Sequence, residues 1–238
     1  MKIEIAVQDY EGARIAHNQA ADRIELCQGL PLGGLTPSIG LTRRVNEGLP
    51  GLNVHALIRP RPGDFIYSRD EIRTMCEDIK SMSGYVSGFV IGALTPENTL
   101  DIAALKKLMC VNSDFTFHRA FDAIEDKGSA LHQLEELGFA RLLTSGGYSS
   151  AYEGREVLAE LAEAGTKVEI MAGGGLKVDN IPAFANTGID AVHLSAKKTK
   201  QSLAAHSNVS LGSADSGDTG YDVTDEQAVA LAVKAAHG

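Results

Sequence analysis

Short apolar, β-branched runs alternate with longer segments of helical period along most of the chain, and this alternation limits the fold more than any other feature. The strands read as Ile3–Val7, Asp22–Cys27, Asn53–Ile58, Gly88–Ile91, Asp114–His118, Ala140–Thr144, Lys167–Met171 and Ala191–Ser195. Helices follow them at Asp9–Gln19, Ser38–Glu47, Ser68–Met82, Asp101–Met109, Lys127–Leu137, Glu153–Ala164, Asn180–Asn186 and Thr224–Ala236. Local chemistry punctuates these segments. Ser68 is an expected N-cap, Gly138 and Gly165 end helices, and Thr224 with Gln227 fits a capping box. Strict alternation implies a parallel sheet covered by helices. Eight such units in 238 residues favour a closed (β/α)₈ TIM barrel over an open doubly wound sheet. No linker divides the chain, so one domain is expected over residues 1–238. Residues 196–223, rich in Ser, Gly and Asp, read as a long loop before the last helix, serving either as a lid or as plain surface.

Composition narrows the function classes. The net charge is −9 and no long basic run occurs, which speaks against nucleic acid as a partner. No apolar run reaches membrane-spanning length, and Met1–Ile5 reads as a strand rather than the start of a signal segment. The three cysteines, Cys27, Cys76 and Cys110, form no C-x-x-C pair. An odd number without a framework points to a reducing compartment.

The chemistry gathers where this barrel type keeps its active face, at the strand C-termini and the loops after them. Glu25 and Cys27 share one side of the second strand by period-two alternation. His55, Leu57 and Arg59 share a side of the third, Thr116 and His118 of the fifth, His193 and Ser195 of the eighth. Glu4 lies in the middle of the first. A charged or imidazole group in a buried strand is costly unless paired. A set of them at one rim therefore reads as a binding or catalytic site.

Within that set, His118 suits a general acid or base, and Asp122 either orients it or pairs with Arg119 or Arg59. Arg59 and Arg61, in the proline-stiffened segment Ile58–Phe65, suit carboxylate or phosphate recognition. Structural pairs Arg61–Asp64 and Arg59–Glu25 are the alternative reading of these arginines. The turns Thr144–Gly147 and Ala172–Gly175, with the Ser195–Ala196 turn, offer backbone N–H groups to an oxyanion. Ser145, Gly173, Gly174, Gly175 and Ser195 join Arg59 as candidate anion binders. For a metal, the candidates are Cys27, Glu25, His118 and His193. A soft ion such as Cu(I) needs sulfur, and of the cysteines only Cys27 sits at the expected rim.

Taken together, the motifs resemble the CutC family, named for copper homeostasis. The residues that carry the resemblance are Ala21–Cys27, Gly33–Ser38, Ile58–Arg61, Gly63–Phe65 with Tyr67, Thr116–Asp122, Leu143–Gly146 and Gly173–Gly175. It runs from Ile3 to about Ser195. The resemblance implies a TIM barrel, a cytoplasmic location, an oligomer (often a dimer), and copper handling with Cys27 among the suggested ligands. Two positions depart from the family pattern. Ala6 stands where relatives often carry a cysteine, which removes a second soft ligand. Pro62 stands where they often carry Gly, in the arginine loop. Two functions from different classes follow. One is copper binding through Cys27 with nearby Glu or His groups. The other is a lyase- or isomerase-type enzyme acting on a small anionic, possibly phosphorylated, metabolite. In the second, Arg59 and the glycine turns hold the anion, His118 or Glu25 moves a proton, and Asp122 and His193 assist. A regulatory barrel without chemistry of its own is a third.

Overall fold

In the computed structural model, which describes residues 1–201 and 220–238, eight parallel strands close into a barrel in the order β1 to β8. They are β1 (Lys2–Val7), β2 (Arg23–Leu26), β3 (Val54–Leu57), β4 (Gly88–Ile91), β5 (Asp114–Phe117), β6 (Arg141–Thr144), β7 (Glu169–Gly173) and β8 (Ala191–Leu194). The ring closes by β1 pairing in parallel with both β2 and β8, with Glu4 opposite Arg23 on one side and His193 on the other. The helices outside are α1 (Tyr10–Asn18), α2 (Ile39–Gly48), α3 (Arg69–Met82), α4 (Ile102–Leu108), α5 (Lys127–Leu137), α6 (Arg155–Glu163) and α7 (Glu226–His237). Their starts obey side-chain chemistry. The Ser68 hydroxyl accepts from the Glu71 N–H while Glu71 accepts from the Ser68 N–H, a full capping box on α3.

Two apolar regions result, and they differ. The large one lies between sheet and helices and contains Ile3, Ile5, Val7, Ile24, Leu26, Phe89, Phe117 and the inner faces of the helices. The barrel interior is divided: Cys27, Leu57 and Val90 pack in one small cluster, and Leu143, Met171 and Ala191 in another. The rest of the interior is polar and buried: Glu4, Arg23, Glu25, His55, Thr116 and Arg141.

Three expectations are corrected here. The segment after β7 is a 3-10 helix, Val178–Phe184, rather than an α-helix at Asn180–Asn186, and Pro182 inside it removes an N–H that an α-helix would use. Thr224 does not cap the last helix; Asp225 does, its side chain accepting from the Gln227 N–H. The stretch 196–223 is not loop throughout. Its ends form an antiparallel ribbon of β9 (Lys197–Gln201) and β10 (Gly220–Thr224); the lid reading falls on 202–219, outside the described residues. Helix α7 then returns to the barrel floor, where the Met1 ammonium donates to the Ala236 carbonyl at 3.2 Å.

Candidate active site

A cavity of about 230 Å³ opens at the strand C-termini, lined by Glu25, Gly33, Leu57, Arg59, Phe65, His118, Arg119, Leu143 and His193. Four groups expected to converge there, Glu25, Arg59, His118 and His193, do so. They come from β2, from the residues just past β3 and β5, and from β8, each at the alternation that points inward.

On one wall runs a chain of charges. Glu4 forms an ion pair with Arg23 through one carboxylate oxygen, and the other lies 2.7 Å from His193 Nδ1. His193 Nε2 then stands 3.8 Å from Glu25. Burial favours the neutral form of each acid, but for Glu4 the Arg23 guanidinium and His193 overcome it and hold the carboxyl far below the usual range. For Glu25 burial wins, helped by the Glu4 charge, and its pKa rises to about 7. Burial pushes His193 down, yet the Glu25 and Glu4 carboxylates outweigh it and raise its pKa. Glu25 thus keeps its proton more readily than an ordinary carboxyl, beside an imidazole whose charged form its acidic neighbours favour.

Arg59 stands on a different footing. It is 7% exposed, and its Nη atoms donate to the carbonyls of Leu32, Gly34 and Gly63 at 2.9, 2.9 and 3.1 Å. No carboxylate among the described residues pairs with it, so the Arg59–Glu25 ion pair is not formed, and its Nε has no partner. Its backbone is clamped to Thr36: the Arg59 N–H donates to Thr36 Oγ1 at 2.9 Å and the Thr36 N–H to the Arg59 carbonyl at 3.0 Å. Arg61, by contrast, makes the expected pair with Asp64 and a second with Glu71.

His118 adds a second unpaired group. Its Nδ1 accepts from the Ala120 N–H at 3.1 Å, so the neutral ring carries its proton on Nε2, which has no partner among the described residues. Burial, with the Arg59 charge beside it, pushes its pKa down to about 3. The ring lies 4.9 Å from that of Phe65. His118 is therefore a neutral donor at physiological pH and not the titrating group of the site.

Other candidates fall elsewhere. Asp122 turns away from His118: one oxygen accepts from Thr144 Oγ1 and the N–H groups of Ser145 and Gly147, the other from Arg119 Nε at 2.8 Å. The Ser145 N–H is thereby used, and Ser145 Oγ donates to the Tyr148 carbonyl at 2.7 Å. Gly173 gives close packing, since a Cβ there would stand 2.5 Å from Leu143 Cδ1. Gly174 lies against Arg119 and Gly175 against Ser150. Neither these glycines nor Ser145 and Ser195 line the cavity.

Cys27 is fully buried beneath the loop that follows β2. Its thiol lies 3.5 Å from the Val7 carbonyl, and burial, then the Glu25 charge, raises its pKa above the ordinary thiol range. A protonated, sealed thiol is a poor Cu(I) ligand. The other interior sulfur, Met171 Sδ, accepts from Arg23 Nη2 at 3.3 Å. The donors therefore do not fit copper. Glu4, Glu25 and His193 bring one ligand atom each within 4.8 Å of one another, an oxygen and nitrogen set unlike the sulfur set Cu(I) selects, and Glu4 is already paired with Arg23.

Sequence reasoning passed over Arg23 and Phe65 as site residues and read Arg119 only as a partner for Asp122, the pair the structure forms. Arg23 was signalled by the same alternation that marked Glu25, two residues on in one strand. Phe65 had no signal beyond its place in the arginine loop.

Fold and site together define a (β/α)₈-barrel protein whose C-terminal rim holds a cavity lined by arginine, histidine and glutamate side chains. The CutC family model matches residues 1–198, and the chain belongs to the CutC family. A family protein CutC of Vibrio atlanticus is 39% identical over 232 residues, 94% of each chain. A crystal structure of a Streptococcus agalactiae CutC, named for copper homeostasis, superposes with a TM-score of 0.78 at 32% identity, covering 82% of this chain and 98% of that one. Phosphoribosyl anthranilate isomerase of Thermus thermophilus shares the fold alone, with a TM-score of 0.60 at 12% identity over 99% of this chain and 98% of that one.

Proposed function

We propose that the barrel mouth is the active site of a lyase- or isomerase-type enzyme that holds a small anionic metabolite and moves a proton on it. One observation carries this reading: among the described residues, Arg59 Nε–H and His118 Nε2–H are buried donors without acceptors, on residues lining one cavity. Each unmet donor costs about 1–3 kcal/mol, and the Arg59 charge has no counter-ion among the described residues. A carboxylate or phosphate oxygen set would satisfy both donors and the charge at once. Glu25, with a pKa of about 7, then takes or returns the proton. His193, backed by Glu4, stabilises whichever state of Glu25 is charged, while neutral His118 donates to negative charge as it develops.

Copper handling reaches this chain through the naming of its relatives, and we route no step through that metal because the sulfur donors do not suit it. We place the protein in the cytoplasm and expect a homo-oligomer, most simply a dimer. No helix among the described residues is long and apolar enough to cross a membrane. The test is incubation in D₂O with a panel of small carboxylates and phosphorylated metabolites, followed by NMR. One class should exchange a proton for deuterium or isomerise, and Glu25→Gln should slow it by roughly 10²–10⁴-fold. Failure across the panel, combined with stoichiometric Cu(I) retention that Cys27→Ser abolishes, would replace this reading with the copper one.

A further inference from the structure

Arg119 lines the same cavity as Arg59, from the residues that follow β5. Its side chain is 43% exposed, yet it is held at three points. Nε donates to Asp122 at 2.8 Å and Nη2 to Ser145 Oγ at 3.1 Å. The guanidinium plane rests on Gly174, where φ is +106° and a Cβ would stand 2.6 Å from Arg119 Cζ. Fixing a long side chain costs rotamer freedom that an exposed ion pair scarcely returns. The pair with Asp122 therefore does not account for the arrangement on its own terms. Asp122 balances the Arg119 charge but takes only Nε, and no acceptor among the described residues takes Nη1.

We propose that Arg119 is a second anion-reading residue and that the ligand carries two negative charges, as a phosphomonoester or a short dicarboxylate does. Gly174 acts as the seat of Arg119 rather than as an N–H donor. The proposal rests on the anion reading of the mouth and adds the ligand's charge to it. A monoanion is met by Arg59 and His118 alone; the second charge is what Arg119 is positioned to meet.

The test is calorimetric titration of the full chain with inorganic phosphate, succinate and acetate. Arg119→Gln should weaken phosphate or succinate by about tenfold or more and acetate by less than about twofold. Arg119→Lys should recover part of the loss for phosphate or succinate and leave acetate binding unchanged, whereas a folding defect would weaken all three anions together. Arg59→Gln should weaken all three anions. Preference for phosphate over succinate, or the reverse, identifies which kind of dianion the site takes. Equal loss for acetate and the dianions in Arg119→Gln, or no loss at all, while Arg59→Gln still acts, would overturn the dianion assignment and leave the anion reading standing. Absence of binding by all three to the unaltered protein would remove both.

Discussion

Arg23 and Arg59 are both buried guanidiniums at inward-facing positions of one barrel, and they are satisfied in opposite ways. Arg23, deep in the interior, is 3% exposed and ion-paired with Glu4, with Met171 Sδ on its far side. Arg59, at the mouth, is almost as buried but meets only backbone carbonyls and keeps an idle Nε. The inner pair closes on itself and contributes to the architecture. In the proposed function, the outer group is completed by the anion of a ligand. A charge left uncompensated at a site reachable from solvent is the mark of binding, whereas the same residue type paired in the interior marks stability.

The contrast can be broken at several points. The largest expected effect is on the inner side. Arg23→Met leaves Glu4 buried without its cation and should cost about 3–5 kcal/mol in urea unfolding; a loss below about 1 kcal/mol would mean that the pair does not hold the interior.

The pH dependence comes next. His55 and His118 have folded pKa values near 3, lowered first by burial and then by neighbouring arginines. Their stability is present above the unfolded value of about 6.5 and lost as pH falls toward 3. Glu25, raised to about 7, acts in the opposite sense: its contribution is present below about 4.5 and lost as pH rises through 7. Between about pH 4.5 and 6.5, unfolding should therefore take up one net proton from these three groups, a slope of about 1.4 kcal/mol per pH unit. His118→Asn should flatten that slope and Glu25→Gln should steepen it. Unchanged slopes in both variants would contradict the assignments.

A smaller effect lies in the loop over Cys27. Gly34 has φ +83° and packs so tightly that a Cβ would stand 2.7 Å from Leu57 Cδ2. Gly34→Ala should cost roughly 1–3 kcal/mol and make the Cys27 thiol react with a thiol reagent in the folded protein. A thiol already reactive in the unaltered chain would show that it is not sealed. The smallest stability change should come from Arg59→Met, within about 1 kcal/mol, since lost hydrogen bonds are offset by removal of an unpaired charge.

The barrel was legible because alternating strand and helix periods admit few other closures, and the rim residues because period-two alternation puts Glu25, Arg59, His118 and His193 on the inner side. Pairing was not legible. Asp122 had several cations and donors within sequence reach, and only the fold brings Thr144, Ser145 and Gly147 to it. Cys27 faces inward as expected, but its sealing depends on Gly34, which the sequence presents simply as part of a glycine-bearing turn. The β9–β10 ribbon escaped notice because Lys197–Gln201 is polar and exposed along its length, without the apolar alternation that announces a half-buried strand.

The central claim is that Arg59 and His118 await an anion. A crystal structure of the protein soaked in selenate, with anomalous data collected at the selenium edge, tests it most directly. We predict a selenium peak in the mouth with its oxygens in hydrogen-bonding range of Arg59 Nε and His118 Nε2. A mouth without that peak, or Arg59 turned onto Glu25, would contradict the account.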